Sequence, residues 1–337
     1  MLNVLIDMPM YAPVVSVLRQ MPDLTVTVVD KPEEKSRILP TDQIQSCDLL
    51  FSTFLPENHQ EMTRLKLVQI SSVGYTQLVG QSLPERDIRA CNAQGVFDVP
   101  IAEWNIAMMI NLARNLRSMI RNQEAGTWDR STDFQKEIRG SVVGIWGYGG
   151  IGRETARLAK TLGMTVHVMV RQPTQARTAS YAVAGTGDRE GVLPDRVFMP
   201  SEKETFLQGL DFLILAMPQT ASTTGIVGEA ELRHLPSHAY LLNPARGPLV
   251  QEAALLRALQ EGWIAGAALD THYQYPMPPE HPLWQTPNVI MTPHISGSSG
   301  SPRFLERVYA IFLENVQRFL SGQPLLNELS SMQLSGL

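Results

Sequence analysis

Short apolar runs separated by polar, helix-length segments recur along the whole chain. In the first hundred residues, LNVLI (2–6), LTVTVV (24–29), DLLFST (48–53) and LVQIS (67–71) have the length and bounding residues of strands. A second series follows with VVGIW (142–146), VHVMV (166–170), FLILAM (212–217), AYLLN (239–243), IAGAAL (264–269) and VIMT (289–292). Strand–helix alternation of this kind predicts an α/β protein with doubly wound parallel sheets. Helical patterns lie between the runs. The clearest is 251–261, where Ala253, Ala254, Leu256 and Leu259 alternate with charge. A long one spans 101–125, with Asp98 as its cap, Pro100 in its first turn and Gly126 as its stop. The last, 301–320, is expected to pack back on the first series. The stretch 174–200 is polar and glycine-rich and reads as a surface excursion; its GTG is a loop, not a second phosphate site.

One apolar run ends unlike the others. Residues 142–152 read VVGIWGYGGIG, and GRETARLAKTLG continues from there as a helix. Gly147-x-Gly149-x-x-Gly152 between a strand and a helix is the order a dinucleotide site requires. One glycine permits the tight turn, the second lets the backbone approach a pyrophosphate, and the third lets helix and strand pack closely. The pyrophosphate then faces the helix N-terminus, where free N–H groups and the helix dipole favour anions. Gly150 and Ile151 complete the turn.

Composition narrows the class. The chain has 337 residues, enough for two domains, with 44% hydrophobic and 18% charged residues. A net charge of −5 without a basic cluster argues against nucleic acid as a partner. No apolar run approaches the roughly 18 residues that span a bilayer. MLNVLIDMPM reads as a first strand rather than a signal peptide, so a cytoplasmic location is expected. Cys47 and Cys91 form no CxxC pair and read as small hydrophobes in a reducing compartment. His59, His234, His238 and His281 read as solvated, and no spacing suggests a metal site.

Ligands of open α/β sheets lie beyond the carboxyl ends of the strands. Three polar clusters fall at such ends: Pro244-Ala245-Arg246-Gly247, Asp270-Thr271-His272 and Pro293-His294-Ile295-Ser296-Gly297. An arginine there offers a planar fork for a carboxylate and a carbonyl oxygen. A histidine can pass a proton to an alkoxide as hydride arrives. Taken singly, Arg246 serves equally well as a surface ion-pair partner and His294 as a turn or capping residue. Together with a dinucleotide site, they point to hydride transfer to a 2-oxo acid.

At this point the chain resembles the D-isomer-specific 2-hydroxyacid dehydrogenase family over nearly its whole length. LLNPARGPLVQEAAL is similar to the family's arginine signature, which implies that Arg246 orients the substrate. TPHISG resembles its histidine motif, which implies His294 as the acid/base. GAALD resembles the segment whose aspartate, here Asp270, meets the nicotinamide side of the cofactor. SSVGY is similar to the loop whose main-chain amides, here of Val73 and Gly74, hold the substrate carboxylate. Pro218, after the FLILAM run, joins the cofactor-binding set. PIAEW and ARNLRSMIRNQEAGTW resemble the helix joining two domains. The resemblance implies a flavodoxin-like substrate domain made of 1–98 plus 298–337 and a Rossmann NAD(P)-binding domain at 99–297, with a homodimer as the usual assembly. The family also places a glutamate beside the catalytic histidine in a DVFxxEP-like pattern. Here Asp270-Thr-His-Tyr-Gln-Tyr-Pro276 puts Tyr275 at that position. A neutral phenol favours imidazolium only weakly, so an acidic optimum for reduction is expected. Glu280 is the nearest downstream carboxylate, and His272 is close enough in sequence to contact substrate.

Cofactor choice is read from the end of the second strand. NAD-binding proteins place an acidic residue about 20 positions beyond the glycines. Here that place is Val170, followed by Arg171 and Gln172, and no carboxylate occurs before Asp188. A carboxylate about 4 Å from a 2′-phosphate would be repelled by several kcal/mol at an effective dielectric near 20. A guanidinium there would add about 1.5–3 kcal/mol. The expectation is NADP(H) in preference to NAD(H), with Arg171 as main contact and Gln172, Thr174 and Arg177 as helpers. The favoured function is reduction of glyoxylate or hydroxypyruvate, with oxaloacetate or malate-like dicarboxylates open. Segments 52–55 and 72–76, with Tyr273, Tyr275 and Trp284, are expected to set specificity. A catalytically weak NADP(H)-binding sensor on the same scaffold is the alternative, which the retention of Arg246 and His294 disfavours. Related formate and phosphite dehydrogenases keep a glutamine or the glutamate where Tyr275 stands.

Overall fold

A computed structural model describes residues 1–177 and 180–335. Its described strands are all parallel and form two sheets, in two compact units. The first unit comprises Met1–Phe97 and the chain from Gly300 onward, with a short piece ending at Val183. Its strands β1 (Leu2–Asp7), β2 (Leu24–Val28), β3 (Leu49–Ser52), β4 (Leu67–Ile70) and β5 (Arg89–Cys91) lie in the order β2-β1-β3-β4-β5. That is the flavodoxin-like order, with its switch point between β1 and β3. β3 and β4 are buried at every position, which is why their sequences are mostly apolar, with Ser52 and Gln69 as the buried polar exceptions. One face is covered by helix Pro302–Leu320, whose Val308, Tyr309, Ile311, Phe312 and Val316 pack with Val4, Ile6 and Phe51. Ser301 caps this helix by accepting from Arg303 N–H.

The second unit contains β6 (Val142–Trp146), β7 (Thr165–Met169), β8 (Arg196–Phe198), β9 (Phe212–Leu215), β10 (Tyr240–Asn243), β11 (Gly266–Leu269) and β12 (Val289–Met291). Their order, β12-β11-β10-β9-β6-β7-β8, is the Rossmann arrangement with one added edge strand. The switch point falls between β6 and β9, so the carboxyl end of β6 opens onto the crevice where such sheets bind ligands. Helix Asp98–Ala113 packs on helix Gly150–Thr161, and a buried bond from Asn105 Nδ2 to Thr155 Oγ1 (3.0 Å) joins them.

Three features differ from the sequence reading. The helix expected over 101–125 is two helices, Asp98–Ala113 and Leu116–Glu124, divided at Asn115, which takes the left-handed conformation (φ 46°). Asparagine tolerates that region better than most side chains. Asp98 is the first residue of the first helix. The stretch 174–200 is not merely surface: it contains β8 and a buried Asp188. His59 is buried, with Nδ1 against the Pro56 carbonyl at 2.9 Å, and His281 donates to Glu252, so neither is simply solvated. No helix among the described residues is long and apolar enough to cross a membrane.

Candidate active and cofactor-binding site

Physical constraints at the glycine turn separate its members. Gly147 has φ +102°, and a Cβ there would lie 2.7 Å from the Ala216 carbonyl oxygen. A Cβ on Gly152 would lie 2.6 Å from the Gly147 carbonyl oxygen. Both distances are too short for any side chain, so these two glycines let the turn and helix close up. Gly149 differs: a Cβ there would meet nothing within 4 Å. It forms the N-cap of helix Gly150–Thr161 without a side-chain cap hydrogen bond, while the Asp98 carboxylate packs against the next residue, Gly150. The open space at Gly149 fits a pyrophosphate.

Arg246 stands just beyond β10. Buried Asn243 shapes its turn by accepting from the N–H groups of Ala245 (3.1 Å) and Arg246 (3.2 Å) and donating to the Arg246 carbonyl (2.8 Å). Gly247 packs its Cα against the His272 backbone, 2.5 Å from where its Cβ would be, so the arginine turn rests on the end of β11. His294 follows β12 with φ 57°, a conformation that costs a non-glycine residue about 1–2 kcal/mol.

Asp270 holds that turn in place. It is fully buried, and its carboxylate accepts from Thr292 Oγ1 (2.5 Å), Ile295 N–H (2.9 Å), Ser296 N–H (3.0 Å) and Ser296 Oγ (2.5 Å). Trp104 Nε1 donates to Thr292 Oγ1 (3.2 Å), adding a second anchor. With both oxygens engaged by donors from the loop after β12, Asp270 ties the end of β11 to the turn that carries His294. His272 is buried as well. Its Nε2 lies 2.8 Å from the Thr292 carbonyl, so Nε2 carries a proton.

Tyr275 is 58% exposed, and its ring centroid lies 5.6 Å from that of His294. Its hydroxyl oxygen accepts from the His272 N–H at 3.1 Å. Burial pushes the His294 pKa below the ordinary histidine value; nearby Arg246 and His272 push the same way, and Asp270 opposes them. Glu280 is exposed and shares no described hydrogen bond with His294. Asn243, Thr292, Ser296 and Trp104 were not singled out from sequence. Their only signal was position, at or just past strand ends or, for Trp104, within PIAEW.

In the first unit, the loop after β4 carries Val73 and Gly74. Asn92 Nδ2 donates to the Val73 carbonyl (2.8 Å), and Ser72 Oγ donates to the Gly74 carbonyl (2.7 Å). With both carbonyls tied back, the loop has a fixed course. Beyond β7 in the second unit, Arg171 and Gln172 are exposed. A cleft of about 260 Å³ lies there, lined by Tyr148, Arg153, Gln172, Thr174, Gln175 and Arg177 among others; Arg171 is not in its wall. Pro218 is exposed just past β9, beside the switch point.

Comparison with known proteins agrees with this architecture. Residues 106–296 match the family model described as D-isomer specific 2-hydroxyacid dehydrogenase, NAD binding domain. The chain is 31% identical over 302 residues to the glyoxylate reductase of Korarchaeum cryptofilum, covering 87% of this chain and 85% of that one. It is 30% identical over 263 residues to the glyoxylate/hydroxypyruvate reductase B of Yersinia enterocolitica, covering 77% and 76%. A crystal structure of a D-isomer specific 2-hydroxyacid dehydrogenase family protein from Aeromonas salmonicida superposes with a TM-score of 0.78 at 25% identity, covering 98% and 99%. Fold and matches together define an oxidoreductase with an NAD-binding domain. The chain belongs to the D-isomer-specific 2-hydroxyacid dehydrogenase family.

Proposed function

We propose that this protein reduces a small 2-oxo acid of the glyoxylate or hydroxypyruvate class with NADP(H), dicarboxylates of the oxaloacetate or malate type being the next class to test. The observation that carries the reading is the pairing of Arg246 with His294. They come from the ends of β10 and β12, yet lie close enough for the guanidinium to depress the imidazole pKa. A cation and a titratable proton donor at one strand edge match what a 2-oxo acid needs: a fork for the carboxylate and carbonyl oxygens, and an acid for the nascent alkoxide.

In this reading Arg246 orients the substrate. His294 gives its ring proton to the carbonyl oxygen as that oxygen gains negative charge. Asp270 keeps the His294 turn in its left-handed shape, and Tyr275 covers the imidazole without sharing its charge. Gly147, Gly149, Gly150, Ile151 and Gly152 would seat the cofactor pyrophosphate and Pro218 would border it. Gln172, Thr174 and Arg177, which line the cleft past β7, would meet the 2′-phosphate. The nicotinamide, when bound, supplies the hydride.

We also propose a homodimer. Ile120 and Trp284 are exposed apolar residues on one cleft in the second unit, beside Leu116, and a second copy would cover them.

The test is initial-rate measurement with NADPH and with NADH on glyoxylate, hydroxypyruvate, pyruvate and oxaloacetate. Turnover of glyoxylate or hydroxypyruvate with a KM for NADPH at least tenfold below that for NADH is expected. No turnover on any of the four would favour the sensor. Equal KM values would reject the cofactor choice alone.

A further inference from the structure

The geometry points to the cleft past β7 as a phosphate pocket in which Arg177, rather than Arg171, is the principal cation, and to Tyr148, Arg153 and Asp188 as positioning residues that hold its wall. This inference rests on the NADP(H) reading above.

Arg153 follows the last glycine of the turn and is only 6% exposed. Its guanidinium donates to three main-chain carbonyls: Tyr148 (3.3 Å), Gln175 (2.6 Å) and Asp188. These bonds fasten the cleft wall at Gln175 to the glycine turn and to Asp188 at once. The three acceptors are neutral carbonyls, and the nearby Asp188 carboxylate offsets only part of the Arg153 charge. Arg177 lines the same cleft, and its N–H donates to the Arg189 carbonyl (2.9 Å), which braces it from the far side of the excursion. Burial, and after it the proximity of Arg177, push the Arg153 pKa below the usual guanidinium value. Two guanidinium groups beside one open cleft make a field that a dianion relieves. A ribose hydroxyl would gain little from it.

Asp188 settles what the first carboxylate after β7 does. It is 4% exposed, and it accepts from the Tyr148 hydroxyl (2.6 Å) and from the N–H groups of Gly191 (3.0 Å), Val192 (3.0 Å) and Leu193 (2.9 Å). Burial works against its ionisation, but these four donors outweigh it and hold the pKa below the ordinary carboxylate value. A carboxylate so saturated has no lone pair to offer a ribose 2′-hydroxyl. It clamps the returning strand of the excursion onto the glycine turn instead. Gly191 allows the closure: at φ +77°, a Cβ there would lie 3.1 Å from the Gln175 carbonyl oxygen and 3.4 Å from an Arg153 nitrogen.

Calorimetric titration of the full chain with 2′,5′-ADP and with 5′-AMP tests the inference without turnover. The wild type should bind 2′,5′-ADP at least tenfold more tightly than 5′-AMP. Arg177→Ala should lose about 10- to 100-fold for 2′,5′-ADP alone, the range expected for one charge-assisted contact. Arg177→Lys should recover part of that loss, and Arg171→Ala should lose less than threefold. Tyr148→Phe and Asp188→Asn should each weaken 2′,5′-ADP by at least threefold while 5′-AMP stays within twofold. If Asp188→Asn does not fold, Tyr148→Phe decides. A loss carried by Arg171→Ala instead of Arg177→Ala overturns the assignment. Equal weakening of both nucleotides by Tyr148→Phe, or none, overturns the positioning role. A wild type that binds both nucleotides equally would sink the NADP(H) reading itself, and this inference with it.

Discussion

Replacing Tyr275 with glutamate puts a carboxylate beside His294, and the structure sets the size of the effect. The two rings are 5.6 Å apart between centroids. At that separation a unit charge contributes about 3 kcal/mol at an effective dielectric of 20 and about 1 kcal/mol at 60. These correspond to roughly 2 and 0.7 pH units. Tyr275 is 58% exposed, so the solvent-screened end applies, and a rise of about 1 unit is expected. The sign follows from the wild type. Burial, Arg246 and His272 hold the His294 pKa below the ordinary value, so the protonated acid that reduction needs is present at low pH and lost as pH rises through that depressed value. The kcat/KM profile for reduction should therefore be flat on the acid side and fall about tenfold per unit above the pKa. Tyr275→Glu should move that descending limb up by about 1 unit. At pH 8 the variant should then reduce about tenfold faster than wild type, and the oxidation limb should move the same way. Tyr275→Phe is the control: its lost hydroxyl accepts from the His272 N–H rather than from His294, so the limb should stay put. Rates with NADPH between pH 5 and 9 give the answer. A limb that stays within 0.3 unit in Tyr275→Glu, or moves down, refutes the argument.

Two further outcomes are expected. In Asp270→Asn the amide has one accepting oxygen for four buried donors, so stability should fall by about 2–5 kcal/mol in urea denaturation and kcat should fall with it; a loss under about 1 kcal/mol would mean the His294 turn holds itself. Ile120→Glu should halve the mass seen by light scattering in the wild type, while glyoxylate reduction by the remaining monomer is measured alongside; a wild type already monomeric removes the dimer proposal.

The sheets were legible because most of these parallel strands are buried on both faces and leave apolar runs, while the edge strand β2 alternates as LTVTV. The two strands not anticipated, β5 and β8, are three residues each and begin with arginine, so neither leaves a run to read. The division at Asn115 was invisible for a different reason. Helix Asp98–Ala113 buries one stripe, but its exposed side also carries apolar residues such as Ile110, so the sequence shows no sharp amphipathic pattern that would end before Asn115. Within the site, glycines and strand-end positions were readable because their constraint is local. Asn243, Thr292 and Ser296 work through neighbours in three dimensions, and polar residues at a strand end carry no mark of which neighbour they will serve.

The two aspartates make the same point and reach further. Asp270 was assigned by resemblance to the cofactor, and Asp188 was the first carboxylate after the second strand of its unit. In the structure both are buried and saturated by turns they hold together. A long loop has main-chain N–H groups with no ladder to join, and a carboxylate with its several lone pairs can gather three or four such donors at once. The charged groups left at the strand ends are then mostly cationic or able to become so: Arg171 and Arg177 past β7, Arg246 past β10, His294 past β12. A site whose carboxylates are turned inward is electrostatically matched to anions at both ends. On the function proposed above, such a field would favour a phosphorylated dinucleotide and a carboxylate substrate over a 2′-hydroxyl or a cationic substrate.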